Sequence, residues 1–219
     1  MSTRSLLGAL VACLVLVPSS AEAQLGIAAR IGTLGLGAEG SVDLSDRFVL
    51  RGGAGLSKVE TGTSFNGVPV VLEAPDAWYN VGIDFYLNSA LRIGGGVVFK
   101  SGDPAIRGDF SGPVNIGGVE LTPTEIGTLT GVLDMDEQAA YALIGFGKHT
   151  DSGVGLFIDF GAAIFGSPAV ALSAEGGTYP EDELDQLLAQ EARNFEDDMK
   201  WYLRVWPIVS IGLRIGIGY

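Results

Sequence analysis

One cysteine and one histidine are present among 219 residues. Zinc centres need several such side chains together, so these two cannot build one. Cys13 sits in the first apolar run, so a mature chain beginning at Gln24 carries no thiol. Disulfide and thiol chemistry are excluded with it. Charge is also scarce, at 18% of residues, and one-sided: 26 acids against 13 lysines and arginines leave a net of −13. Nothing resembles the basic stripe that nucleic acid requires. The last absence is of long apolar runs. After residue 23 none reaches the roughly twenty residues of a membrane helix, so any span there must be β.

What is present begins with a leader. Arg4 precedes the apolar run Leu6 to Val17, then Pro18-Ser19-Ser20 and Ala21-Glu22-Ala23 before Gln24. A positive start, a short apolar core and a small-x-small site read as a cleaved signal peptide over 1–23, leaving 24–219 as one domain. A retained anchor would need a longer run. Leu10-Val11-Ala12-Cys13 matches a lipoprotein box, yet the apolar stretch continues through Val17 beyond it.

At the other end, Trp201 to Tyr219 alternates with a period of two. Trp201, Leu203, Val205, Pro207, Val209, Ile211, Leu213, Ile215, Ile217 and Tyr219 share one face, opposite mostly small or charged residues. Such a strand has one oily face and one narrow, polar face, as when lipid lies outside and a wet interior inside. Working backwards, further alternating segments cover 154–165, 141–148, 91–100, 78–87, 48–57, a strand ending near Leu44, and 25–32. Connections at Ser45-Asp46, Asn88-Ser89 and 150–153 are short, whereas 58–76, 101–138 and 167–199 are long. Short periplasmic turns and long outer loops are the barrel pattern, and parity demands eight strands with both termini periplasmic. Phe48, Phe85, Phe146 and Tyr219 fall near one rim, and Tyr79, Phe99 and Trp201 near the other, as aromatic girdles. A soluble eight-stranded carrier would instead need a bulky apolar interior.

The expected fold is therefore all-β: an eight-stranded antiparallel transmembrane up-and-down barrel. Its inward face collects charge. Arg30, Glu39, Arg51, Asp84, Arg92, Asp159, Arg204 and Arg214 are expected to form an ion-pair network, because the bore is too narrow for open water. That network is read as a structural plug, with a small gated pore as the competing reading.

Other motifs carry less. Gly35-Leu36-Gly37-Ala38-Glu39-Gly40 spells a dinucleotide fingerprint, but no helix follows it. His149, Asp151 and Ser152 crowd one short periplasmic turn, where a catalytic triad is not expected. No catalytic residue, cofactor or metal is assigned. Asp134, Asp136, Glu137 and the acids of 181–198 lack the spacing of a calcium loop and read as a solvated face. Pro180, the acids after it, and Leu184, Leu187, Leu188, Phe195 and Met199 predict a short amphipathic helix over 180–199 in the last outer loop. Its apolar stripe covers the barrel mouth, or else meets a surface partner or lipid.

The terminal strand, with Gly32-Thr33-Leu34-Gly35-Leu36-Gly37-Ala38-Glu39, Asp46-Arg47-Phe48, Ile126-Gly127-Thr128-Leu129 and Phe165-Gly166-Ser167-Pro168, resembles small outer-membrane β-barrels of the OmpA-like and porin-like superfamily. The resemblance implies the bacterial outer membrane, with its lipid and the barrel-assembly machinery as partners. It also implies that Leu213, Ile215, Ile217 and Tyr219 form the assembly signal. It implies neither an activity nor the cell-wall tethering of some relatives. The expected role is structural or surface-interacting, with a small passive pore for ions or solutes as the alternative.

Overall fold

The computed structural model describes residues 24–57, 60–65 and 68–217, so the signal segment 1–23 and Tyr219 lie outside the described residues. In chain order the elements are β1 (Leu25–Gly32), β2 (Leu36–Asp43), β3 (Phe48–Leu56), β4 (Glu60–Phe65), β5 (Val68–Glu73), β6 (Ala77–Tyr86) and β7 (Leu91–Ser101). Next come β8 (Ala105–Asp109), β9 (Val114–Ile116), β10 (Val119–Leu121), α1 (Pro123–Ile126), β11 (Gly127–Asp134), β12 (Gln138–Phe146) and β13 (Gly153–Ile164). β14 (Ala169–Gly176), α2 (Glu181–Leu203) and β15 (Val205–Ile217) complete the chain.

Eight of these strands close a barrel in the order β1-β15-β13-β12-β7-β6-β3-β2, every pair antiparallel. The seam joins the first strand to the last, from Leu25 opposite Ile217 to Gly32 opposite Ser210. Closure removes the open edges that would otherwise invite pairing with other chains. Along each strand, exposed and buried residues alternate. Outward apolar residues form a continuous exposed band; Leu156 is 65% and Leu213 56% exposed. A water-soluble barrel would not leave so large an apolar surface uncovered.

At one end the barrel strands are joined by the short connections 44–47, 87–90 and 147–152. At the other end the long connections are mostly regular structure. β4, β5, β8, β11 and β14 form a five-stranded sheet in the order β14-β11-β8-β5-β4. Each of these strands is separated by only a few residues from a barrel strand, so the sheet repeats the barrel order β13-β12-β7-β6-β3. Five walls of the barrel thus rise beyond it, while β1 and β2 stop at the tight turn 33–35.

Helix α2 packs against β14. Acids Glu181, Asp182 and Glu183 sit at its positive end. Leu184 and Leu188, one turn apart, bury against Ile116, Leu121, Ile126, Leu129, Leu172 and Ala174. The helix runs to Leu203, so Trp201 and Tyr202 are helical and the last strand starts at Val205, not at Trp201 as the alternation suggested. Arg204 ends the helix, and its carbonyl accepts the Phe165 N–H, which starts the pairing with β13.

The barrel interior departs from the expected face of glycine and charge. Near the loop end it is an apolar core of Trp78, Val98, Met135, Tyr141, Leu143, Ala163, Phe165 and Ile208, with Trp206 packed against it. The ring centroids of Trp78 and Trp206 lie 4.9 Å apart. Trp206 and Ile208 hold inward positions of the last strand, and opposing walls bring the other large groups to meet them. Trp78→Ala should lower unfolding stability in detergent by about 3–5 kcal/mol, because the side chain is fully buried and its neighbours sit on rigid walls. Urea titration followed by tryptophan fluorescence checks this.

Candidate functional site in the barrel interior

Below the apolar core lie six buried charges from six different strands. β1 supplies Arg30, β2 Glu39, β3 Arg51, β6 Asp84, β7 Arg92 and β13 Asp159. Three cations face three anions, so the layer is neutral. Around the wall the sign alternates from strand to strand through the first five.

The core of the layer is a closed ring. Arg51 Nη1 lies 2.7 Å from Asp159 Oδ2, and Arg51 Nε 3.1 Å from Asp84 Oδ2. Arg92 Nε lies 2.9 Å from Asp84 Oδ2, and Arg92 Nη2 pairs with Asp159 Oδ1. Each arginine thus spans both aspartates. Glu39 hangs from this ring, 3.3 Å from Arg51 Nη1 and 2.6 Å from Arg30 Nη1. All six side chains are almost wholly withdrawn from solvent. Removing carboxylates and guanidinium groups from water costs several kcal/mol each, so only mutual pairing makes the layer tolerable.

Glycine makes room for the ring. Gly145 stands in register between Arg92 and Asp159, and a Cβ there would strike both side chains. Gly94 is opposite Asp84, whose carboxylate occupies the place of its missing side chain. A cavity of about 10 Å³, lined by Arg30, Arg51, Asn80, Tyr141, Asp159 and Ser210 among others, is the space between ring and apolar core. That is room for about one water.

The turn end is filled by the chain itself. Residues 147–152 fold inward, and His149 and Thr150 are fully buried. Gly147, at φ 94°, turns the chain where a side chain would be strained. His149 Nε2 lies 3.5 Å from Glu39 Oε2, its Nδ1 3.4 Å from the Tyr86 hydroxyl, and its ring 4.4 Å from that of Phe157. Its backbone N–H donates to the same Tyr86 oxygen. His149 lies in a turn outside the strands, and burial pushes its imidazole below the ordinary value while the Glu39 contact pulls it back up.

Of the sequence-predicted charges, the structure brings together Arg30, Glu39, Arg51, Asp84, Arg92 and Asp159. Two stand elsewhere. Arg214 lies towards the turn end and donates to the carbonyls of Asp151 and Gly153, holding the inward turn. Arg204 lies at the opposite end, capping α2, with its Nε 3.4 Å from the Phe165 carbonyl oxygen. Both correct the expected network, because the positions of 204 and 214 along the strand axis put them beyond reach of the ring. Leu213, Ile215 and Ile217 face outward on β15 and are exposed. The sequence places His149 in a short turn between two strands and carries little sign that the turn enters the bore. Its inward fold comes from contacts with β2 and β6, and only the paired glycines Gly147 and Gly153 hint at it in the sequence.

No protein-family model matches the chain, and no curated protein matches it. Crystal structures that share its architecture include two of Acinetobacter baumannii proteins. CarO aligns with a TM-score of 0.61 at 19% identity, covering 87% of this chain and 96% of CarO. CarO2 aligns with a TM-score of 0.65 at 18% identity, covering 89% of this chain and 98% of CarO2. The likeness is one of fold.

Two outcomes follow from the geometry. Arg51→Met leaves three carboxylates short of a partner and should cost about 3–5 kcal/mol of unfolding stability in urea. For His149 the folded value is lowered, so the unfolded chain takes up its proton first as pH falls. The folded state should therefore lose stability below about pH 6.5, and His149→Gln should flatten that part of a stability-against-pH curve.

Proposed function

We propose that this protein is an integral outer-membrane barrel whose interior is closed and whose role is structural or surface-interacting. The observation that carries the reading is the filling of the bore in three successive tiers. The apolar core closes the loop end, the ion-pair ring the middle, and the inward turn with His149 the other end. An eight-stranded wall leaves only enough width for side chains to fill, and here bulky ones fill it.

The membrane placement rests on the exposed apolar band around a closed barrel and on strands of 8–13 residues, the length a tilted span requires. The fold shared with CarO and CarO2 supports it. In this placement residues 1–23 are a cleaved signal, the short turns face the periplasm and the structured connections face outward. Leu213, Ile215, Ile217 and Tyr219 serve as the assembly signal. With the bore filled, what the protein offers its surroundings is the outer sheet with α2, whose exposed acidic N-terminal end (Glu181, Asp182, Glu183, Asp185) can meet a surface partner. The role is not catalytic.

The small-pore reading draws on the ring itself, since paired charges in a bore could set ion selectivity. Planar-bilayer recording separates the two. The closed barrel predicts no conductance steps from the wild type or from Arg92→Ala; steps in the wild type would establish the pore instead. Recovery of the mature protein in the soluble periplasm would overturn the membrane placement.

A further inference from the structure

The apolar stripe of α2 is covered over only part of its length. Leu184, Leu188 and Ala192 are buried against the outer sheet. Beyond Ala192 the aromatic residues are uncovered: Phe195 is 38%, Trp201 64% and Tyr202 72% exposed. Below this end of the helix begins β15, and beside it β1 and β2 stop at their tight turn without rising into the outer sheet. The aromatic end of α2 therefore stands over the low side of the barrel wall.

Distance along the chain decides what can cover it. Val205, opposite Ile164, begins the outward apolar band on this side. At 1.5 Å per helical residue, Trp201 and Tyr202 lie at most about 5–6 Å beyond that row, and Phe195 at most about 15 Å. The headgroup layer on each side of the hydrocarbon is roughly 5–8 Å deep. Trp201 and Tyr202 therefore fall within that depth whatever the tilt of the helix. Exposed Lys200 adjoins them, and a cation beside Trp and Tyr is the set of side chains that settles where apolar chains give way to headgroups.

We infer that the last turn of α2, with Lys200, Trp201 and Tyr202, is seated in the headgroup layer of the outer leaflet, making the helix a lipid-anchored strut for the outer sheet. The occupant of this surface is lipid, because the surface continues the outward band of β15 without a break in the chain. The inference rests on the membrane placement proposed above. The anchor restrains the outer sheet at the side where β1 and β2 give it no wall. It also leaves the exposed acids of α2, from Glu181 to Asp198, before the seated turn and turned to water.

Depth-dependent fluorescence quenching tests it. The full mature protein is placed in phosphatidylcholine vesicles brominated either beside the headgroup or near the chain ends. Trp78 and Trp206 are packed in the barrel interior, so subtracting the Trp201→Phe signal isolates Trp201. Quenching of that component should be about twofold stronger from bromine beside the headgroup. Ile211→Trp in the Trp201→Phe background reports insertion by itself, because Ile211 faces outward midway along β15. If the indole introduced by Ile211→Trp is quenched and Trp201 is untouched by either lipid, the anchor is overturned while the membrane barrel stands. If neither is quenched, the membrane placement fails and the anchor with it.

Discussion

Everything inside this barrel answers to one electrostatic condition: charges withdrawn from water must neutralise one another across the bore. Six strands each place one charged side chain in the same layer, three of each sign, and the two arginines of the ring each span both aspartates. No strand can be shifted alone. A slip of one residue turns a charge outward, since side chains alternate faces along a strand. There it would stand in the apolar exterior band, and it would leave its former partners unpaired inside. The ring thus ties the register of β1, β2, β3, β6, β7 and β13 together.

The neighbouring tiers depend on that register. Gly145 and Gly94 must stand beside Arg92 and Asp84 for the guanidinium and carboxylate groups to fit. With those rows set, the inward positions nearer the loop end bring Trp78, Tyr141, Leu143, Ala163 and Ile208 into one core. At the turn end, Glu39 has one oxygen near Arg30 and the other near Arg51 and His149. It therefore links the ring to the inward turn. Arg214 holds the same turn from β15. The sheet outside the barrel inherits its strand order from the walls below it, because each outer strand continues a barrel strand across a short break.

The barrel was legible because an exposed apolar face and a buried face alternate with a period that only a strand has. Leu91 to Lys100 and Val154 to Phe165 show this plainly, and short and long connections set the parity. The outer sheet was not legible. Segments such as Gly127–Asp134 and Ala169–Gly176 are rich in glycine, alanine and threonine, without a clean alternation, and they become strands by pairing with one another. Helix α2 was visible from its acids and leucines, but its end was not, because Trp201 and Leu203 happen to continue the alternation of β15. For the ring, residue type and inward parity were enough to name its members. They could not exclude Arg204 and Arg214, whose distance from the ring depends on height along the barrel axis.

By itself the sequence determined the class of structure: eight strands, an apolar outside, charges inside, and a helix near the end. These are local properties, set by the period of side-chain direction and by turn residues. The tertiary structure decided which charges pair, that two tryptophans from distant strands pack against each other in the bore, and that the His149 turn folds inward. It also decided that five walls continue as a sheet. Each of these depends on which residues face one another across a closed ring of strands, and that relation exists only once the first strand has paired with the last.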